Sequence, residues 1–334
     1  MGNVVRAVVT IVLGIGGFFG ILLALYFATQ TLPKRLKHGA QIAMFVGPAV
    51  VFIVVGLAIP ALQTVISSLF RDPQLPAGSR GFLANYRFIF SDKLERRALL
   101  NSILWVIGGG SVSTMLGLVV ARYTDGMKRE SIVKALIFIP VSLSLAGAGI
   151  IWKFVYDGPP FDYGLLNAVT KVIPFWPKGL GGDGQRLWLL ESGGSFNTFL
   201  LIIIIVWVQT GFAVVVLSAA IKGVPDSLEE AARVDGATNN QIFYKITLPY
   251  IRPAVLTVIT TGTIASLKAF DIVQGTTGGN FKTTTLANEY YTNYFTQNRE
   301  RVAAALAVLL FLLVIPVVVL NQRGQKRAQE LVGS

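Results

Sequence analysis

Residues 226–249 read DSLEEAARVDGATNNQIFYKITLP and lie between two apolar runs, 196–221 and 251–273. Ser227 and Glu230 fit a Ser-x-x-Glu capping box, which predicts a helix start. Glu229 and Glu230 then fall in the first turn, where carboxylates favour the positive end of the helix dipole. Gly236 can take positive φ, which predicts a bend. Thr238 and Gln241 repeat the capping pattern, so a second helix is expected at once. Leu248-Pro249 should stop it, because the residue before proline is biased out of the helical region. The stretch therefore reads as two short helices at a tight bend, held between two apolar segments.

Composition sets the environment of that bend. Hydrophobic residues make up 53% of the 334 and charged residues only 14%, against about 25% charged in a soluble domain. Runs of about 20 apolar residues recur along the chain, each long enough to cross a hydrocarbon core as a helix. The fold class is an all-α polytopic membrane protein with about seven transmembrane helices, and no separate soluble domain of useful size fits between the spans. The net charge of +12 is scattered over the loops that flank the spans, so it is read as membrane flanking and not as nucleic-acid binding. The chain has no cysteine, which excludes a disulfide framework and thiol chemistry.

The expected spans are 4–32, 42–70, 99–121, 132–156, 196–221, 251–273 and 301–320. The first is too long for a signal-peptide core and is read as a retained helix. A basic turn containing Lys34, Arg35, Lys37 and the single histidine, His38, follows it. Domain boundaries are drawn at 1–40 for the first helix and basic turn, 41–322 for a membrane domain, and 323–334 for a polar tail. Gly108-Gly109-Gly110 marks a close-packing or flexible point in the third span. The loop 157–195 is rich in glycine and proline and carries Phe161, Tyr163, Phe175, Trp176 and Trp188. It is expected to lie on the membrane surface, anchored by its rings.

The chain carries no chemical engine. It has no G-x-x-x-x-G-K-[ST] loop for nucleotide phosphates, and residues 181–185 (GGDGQ) lack both the lysine and the hydroxyl. One histidine and no cysteine leave nothing to build a metal site, and none is expected. No serine has an evident histidine base. Work against a gradient would have to draw on a partner or an ion.

Polar residues inside spans carry more information, because they are expensive in lipid and face a bundle interior or a wet cavity. In the fifth span Trp207, Gln209, Thr210 and Phe212 lie close in sequence. In the sixth, Thr260, Thr261, Thr263 and Ser266 precede Lys268 and Asp271, which are spaced to pair on one face. An amide beside aromatic rings suits a sugar, whose hydroxyls need hydrogen bonds and whose C–H faces need a ring. Trp207, Gln209, Phe212, Thr261, Ser266 and Lys268 are the candidate pathway residues. The plainer alternative is that the hydroxyls bond back to their own helix and the charges reach the interface.

Glu230-Ala231-Ala232, then Gly236, Ile246 and Leu248-Pro249 resemble the EAA loop of permease subunits in bacterial ABC importers. The resemblance extends from about Phe45 onward and is strongest to the maltose-type, α-glucoside group. Ser218 to Pro225, Phe270 to Val273 and Thr277-Gly278-Gly279 carry the α-glucoside likeness. It departs from the maltose-type subunit in having one span ahead of the core where that subunit has two, and a short 71–98 loop in place of a large external insertion.

The resemblance implies a six-helix ABC importer permease core plus one N-terminal helix, in the bacterial cytoplasmic (inner) membrane. It places the tail and the EAA loop in the cytoplasm. It implies ATPase-coupling roles for Glu229, Glu230, Ala231, Ala232, Asp235, Gly236, Ile246, Leu248 and Pro249. The implied partners are a second permease subunit forming a heterodimer, an ABC ATPase dimer that binds ATP and Mg, an extracytoplasmic sugar-binding protein, and membrane lipid. Maltose, trehalose or another α-glucoside is the implied cargo, and no cofactor is expected in this chain. An ion-coupled secondary transporter or channel, using Lys268 and Asp271, is the alternative. The halves of the chain show no internal repeat of the kind such transporters carry.

Overall fold

The structure, a computed structural model, describes residues 33–76, 81–158, 164–173, 177, 186–190, 195–267 and 269–332, with separate positions between 6 and 27. Every regular element among the described residues is helical. The chain divides into two compact units, Met1–Ile66 and Ser67–Ser334.

In the first unit the described positions between 6 and 27 are helical, while much of the expected span 4–32 lies outside the described residues. The basic segment after Pro33 is helical from Lys34 and is not a turn. Proline just ahead of a helix start sacrifices no needed donor. This helix runs into the apolar span α1 (Gln41–Leu69), whose surface is almost wholly exposed, with Phe45, Phe52 and Leu57 each more than 60% accessible. Its turn widens at Val54–Ala58, where Ile59 N–H donates to the Val54 carbonyl five residues back. The widened turn lets the helix bypass the carbonyl that the ring of Pro60 would strike.

The second unit is a helix bundle. α2 (Ala84–Ser91) leads into α3 (Lys93–Thr124), whose start is capped by Asp92 accepting from Leu94 N–H at 2.8 Å and Glu95 N–H at 3.1 Å. α4 (Glu130–Ser142) and α5 (Leu145–Val155) form a pair bent by 105°. The expected fourth span is therefore broken, with Pro140 closing one half and the Ser144 side chain capping the other at Gly147 N–H. After α6 (Leu165–Val172) comes α7 (Phe196–Lys222), the most buried span, apolar on every side.

α8 (Asp226–Val234) and α9 (Asn239–Tyr250) make up the polar bend, and α10 (Arg252–Leu267) leaves α9 at 68°. α11 (Phe270–Thr276) is separate from α10, so the expected span 251–273 is not one helix. α12 (Leu286–Tyr291) and the long α13 (Glu300–Val332) complete the unit. Among the described residues four helices are long and apolar enough to cross a membrane, and the number rises to six if each of the two bent pairs is one span.

Close approach around α7 depends on small residues. A Cβ on Gly117 of α3 would collide with Ala213, and one on Gly211 would meet the Ile137 carbonyl of α4. The glycine run of α3 works in the same way. The turn widens at Val106–Val112, and Gly109 and Gly110 lie against Ser266 and Thr263 of α10.

Trp188 departs from the surface-anchor expectation for the loop 157–195. Trp188 is 5% exposed and belongs to the core around Trp105, Ile204 and Ile272. Its indole N–H donates to Asn167 Oδ1 at 2.7 Å, while Asn167 Nδ2 donates to the Asp157 and Arg186 carbonyls at 3.0 and 2.9 Å. One buried asparagine thus ties two segments of the loop, at Asp157 and at Arg186–Trp188, to α6. Phe161, Tyr163, Phe175 and Trp176 lie outside the described residues.

Gly110→Leu should remove folded protein, because the new side chain meets the Thr263 amide and the Ile259 carbonyl at about 3 Å, a clash costing about 1–3 kcal/mol or more. Gly56→Ala, where an added Cβ meets nothing within 4 Å, should leave yield and elution unchanged. Size-exclusion profiles of the two variants in detergent check this.

Candidate coupling site and pathway

α8 begins at Asp226, with Pro225 ahead of it and no side-chain cap. The Ser227–Glu230 capping box is therefore not formed. Ser227 lies inside the first turn, where its hydroxyl is no longer placed to accept from the third helical N–H. Asp226 and Glu229 are the acids of that turn.

The end of α8 is a complete Schellman motif: Ala237 N–H donates to the Ala232 carbonyl at 2.9 Å, and Gly236 N–H to the Arg233 carbonyl at 3.0 Å. Gly236 has φ +81°, the left-handed conformation that a Cβ would strain. The second capping box forms as the spacing predicts. Thr238 Oγ1 accepts from Gln241 N–H at 3.4 Å, and Gln241 Oε1 accepts from Thr238 N–H at 2.8 Å.

Leu248-Pro249 does not stop α9. The turn widens at Phe243–Thr247, Leu248 N–H reaches the Phe243 carbonyl, and the helix continues through Pro249 to Tyr250. The break comes at Ile251, where ψ is 3°. This is the same accommodation that α1 makes before Pro60.

The two glutamates of the motif differ in their surroundings. Glu229 is half-buried; Thr247 Oγ1 donates to its Oε1 at 3.3 Å, and Arg233 lies 3.7 Å from its Oε2. It ties α8 to α9. Glu230 is exposed, with no hydrogen bond or ion pair among the described residues. Beside it α8 presents Leu228 at 43% and Val234 at 87% exposure, with Ala231 also exposed. At three-residue spacing these apolar side chains form one stripe. A cleft of about 400 Å³ opens alongside, lined by Ala232, Asp235, Gly236, Gln241, Lys245 and Ile246 among others. Leu248 is half-buried against the core around Leu217 and Val258, and Pro249 is exposed.

Sequence reasoning missed the residues that seat this loop. Arg122, at the end of α3, places its guanidinium 4.1 Å from the Phe243 ring centroid and 5.4 Å from that of Tyr244. It also donates to Asn240 Oδ1. Glu130 at the start of α4 pairs with Lys222 at 2.6 Å and with Lys134 at 2.5 Å, tying the last residue of α7 to α4. In the sequence Arg122 and Lys222 are ordinary flanking cations, and nothing local marks their partners.

The candidate pathway residues do not share one surface. Trp207 lines an apolar cavity of about 430 Å³ with Trp152, Leu136, Pro140 and Thr210, its ring 5.7 Å from that of Trp152 at 71°. Gln209 and Phe212 lie roughly 60° apart around α7, while Trp207 is more than about 130° from either. Phe212 packs on the core that contains Leu217 and Val258. Gln209 is half-buried and its amide has no partner among the described residues. Thr261 is exposed and bonds back to the Thr257 carbonyl at 2.9 Å; Ser266 is buried, bonds back to Gly262 at 2.7 Å and packs on Gly109. Thr210 and Thr260 make the same backward bond. Lys268 lies outside the described residues, and Asp271 is exposed at the start of α11. No group of three histidine, cysteine or acidic side chains is assembled among the described residues.

Comparison with known proteins agrees with this architecture. The family model for the binding-protein-dependent transport system inner membrane component matches residues 113–328. The osmoprotective compounds uptake permease protein GgtC of Synechocystis is 41% identical over 86% of this chain and all of its own length. The alpha-glucoside transport system permease protein AglF of Rhizobium meliloti is 35% identical over 98% of both chains. The trehalose/maltose transport system permease protein MalF of Thermococcus litoralis is 26% identical over 86% of this chain and 94% of its own. A chain of a bacterial alginate ABC transporter, solved in complex with an alginate pentasaccharide-bound periplasmic protein, superposes with a TM-score of 0.69 at 17% identity, covering 88% of this chain and 96% of that one. The ion-coupled alternative finds no support in these matches. The chain belongs to the family of binding-protein-dependent transport system inner membrane components and is a multi-pass permease subunit of an ABC importer.

Proposed function

We propose that this subunit forms half of the translocation pathway of an α-glucoside importer in a bacterial cytoplasmic membrane, driven by a separate ATPase through the 226–249 loop. The observation that carries the reading is the division of labour in α8. Glu229 is bonded to α9, while Glu230 and the Leu228–Ala231–Val234 stripe are exposed with no partner among the described residues. An unpaired carboxylate beside a small apolar stripe fits a cleft of a protein partner. The partner is an ATPase dimer, which would hold the ATP and Mg that this chain has no loop to bind.

Motion of the ATPase dimer would reach the bundle by two routes. Arg122 links α9 to α3, and the Glu130–Lys222 pair links the α7 end to the bent α4–α5 pair. Alternating access then follows from tilting α3, α4 and α7 together. A second permease subunit completes the pathway as a heterodimer, and an extracytoplasmic sugar-binding protein delivers cargo to the 157–195 and 274–300 loops. The names of two relatives, an alpha-glucoside permease and a trehalose/maltose permease, support an α-glucoside such as maltose or trehalose. Gln209, half-buried on a core span and with no amide partner among the described residues, would bond a sugar hydroxyl. Trp207 offers an aromatic face on another side of α7. Lys268, Thr261 and Ser266 stay in the pathway proposal on their position in the sequence alone.

Glu230→Arg should abolish α-glucoside uptake by at least about tenfold, the loss expected when one charge-assisted contact of about 1.5–3 kcal/mol becomes repulsive, while the protein inserts at wild-type level. Normal uptake of radiolabelled maltose and trehalose would remove the docking role. Gln209→Leu should raise the half-saturating concentration for these sugars without changing complex yield. Unchanged kinetics across the sugar panel would take Gln209 out of the pathway.

A further inference from the structure

Segment 277–285 joins α11 to α12 at the end of α7 remote from the 226–249 loop. Its turn contains two successive non-glycine residues in the left-handed conformation, Phe281 at φ +54° and Lys282 at φ +64°, close behind Gly278 and Gly279 at +61° and +82°. A Cβ is strained there, and a bulky side chain most of all. The surroundings hold the two residues by their carbonyls. Asn101 Nδ2 of α3 donates to the Lys282 and Thr284 carbonyls at 2.7 Å each. Asn197 Nδ2 of α7 donates to the Phe281 carbonyl at 3.3 Å and to the Leu189 carbonyl at 3.0 Å. Thr198 Oγ1 donates to Asn101 Oδ1 at 3.3 Å, and Ser102 Oγ accepts from Leu286 N–H at 2.9 Å. All four of these side chains are buried.

The side chains of Phe281 and Lys282 take no part in this clamp. Phe281 is 40% exposed, Lys282 is exposed, and neither makes a ring contact, side-chain hydrogen bond or ion pair among the described residues. Phe281 also stands outside the three apolar clusters of the second unit. Glycine at both positions would serve the turn with less strain. Strain that the surroundings over-determine in this way marks ligand clamps and switches. Asn197 and Thr198 lie in the first turn of α7, the most buried span, so the tip sits over the interior of the bundle. Lipid headgroups gather at the rim of a bundle and require no fixed backbone. α7 has 27 residues and is roughly 40 Å long, which puts the tip and the 226–249 loop on opposite sides of a bilayer. A rigidly held ring beside a cation suits a folded protein surface that offers an apolar recess next to a carboxylate.

We infer that Phe281 and Lys282 form a docking tip for the extracytoplasmic sugar-binding protein, with Asn101 and Asn197 as the residues that position it. The inference rests on the importer reading above, which supplies a protein partner on that side of the membrane. Phe281 fills an apolar recess of the partner, and Lys282 pairs with an acidic side chain at its edge. The clamp pre-organises both side chains, so little conformational freedom is lost when the partner arrives.

The test is stimulation of ATP hydrolysis by the full complex, in nanodiscs of neutral or of anionic lipid, as maltose- or trehalose-loaded binding protein from the same cells is titrated. Phe281→Gly and Lys282→Gly relax the turn, so each should melt no lower than wild type. Each should raise the half-saturating concentration of binding protein, by about tenfold for Phe281→Gly, at an unchanged maximal rate. Added salt should raise the half-saturating concentration of wild type more than that of Lys282→Gly. Unchanged half-saturation in both variants, beside a wild type that is stimulated, would overturn the inference and leave the importer reading intact. So would a loss seen only in anionic nanodiscs, which assigns the tip to lipid headgroups, or a fall in melting temperature of both variants in step with the lost docking, which makes the side chains structural. A wild-type complex that no sugar-loaded binding protein stimulates would overturn the importer reading and this inference with it.

Discussion

Close approach of neighbouring backbones to α7 is the constraint on which the rest of the second unit depends. α7 is apolar all round, so amphipathic orientation cannot fix its neighbours; shape must. Small residues supply the shape: Gly117 against Ala213, Gly211 against the chain of α4, and, beside α7, Gly109 and Gly110 against α10. In lipid there is no hydrophobic drive between helices, so contacts of this kind and the dispersion they gain set the packing. A rigid α7 then carries a polar bend at one end and a network of buried asparagines and threonines at the other.

The bend itself is rigid in its geometry and open on its outer face. A Schellman turn, a capping box and the Glu229–Thr247 contact hold α8 on α9. Arg122 and the Glu130–Lys222 pair then fix the assembly to three separate helices. These contacts connect α8 and α9 to α3, α4 and α7, which is the linkage the proposed coupling role requires. Widened turns before Pro60 and Pro249, and at the glycine run of α3, place irregular backbone inside helices without leaving donors bare.

Much of this was legible in the sequence. Four of the expected spans, those in α1, α3, α7 and α13, the bend at Gly236 and the Thr238–Gln241 cap follow from local pattern, because each depends on residues within one or two turns. The errors arose where tertiary context overruled a local rule. Ser227 could not cap because the helix began two residues earlier than that cap requires, after Pro225, and Leu248 stayed helical because a widened turn admitted Pro249. Trp188 looked like an interfacial ring, yet Asn167, 21 residues away, draws it into the core. Gln209, Phe212 and Trp207 looked like one cluster but wrap around α7. The seat of the coupling loop was invisible, since Arg122 and Phe243 are far apart in sequence and nothing local marks their contact.

The central claim is that α8 docks on an ATPase. The chain has no native cysteine, so a single Val234→Cys variant gives one defined attachment point at a residue of that helix that is 87% exposed. We would purify it from its native membranes with a short bifunctional crosslinker and identify the adduct by mass spectrometry. A covalent product joining residue 234 to a nucleotide-binding ATPase subunit is the result the account predicts. An ATPase that co-purifies without ever crosslinking to this position, or a chain recovered with no ATPase at all, would contradict it.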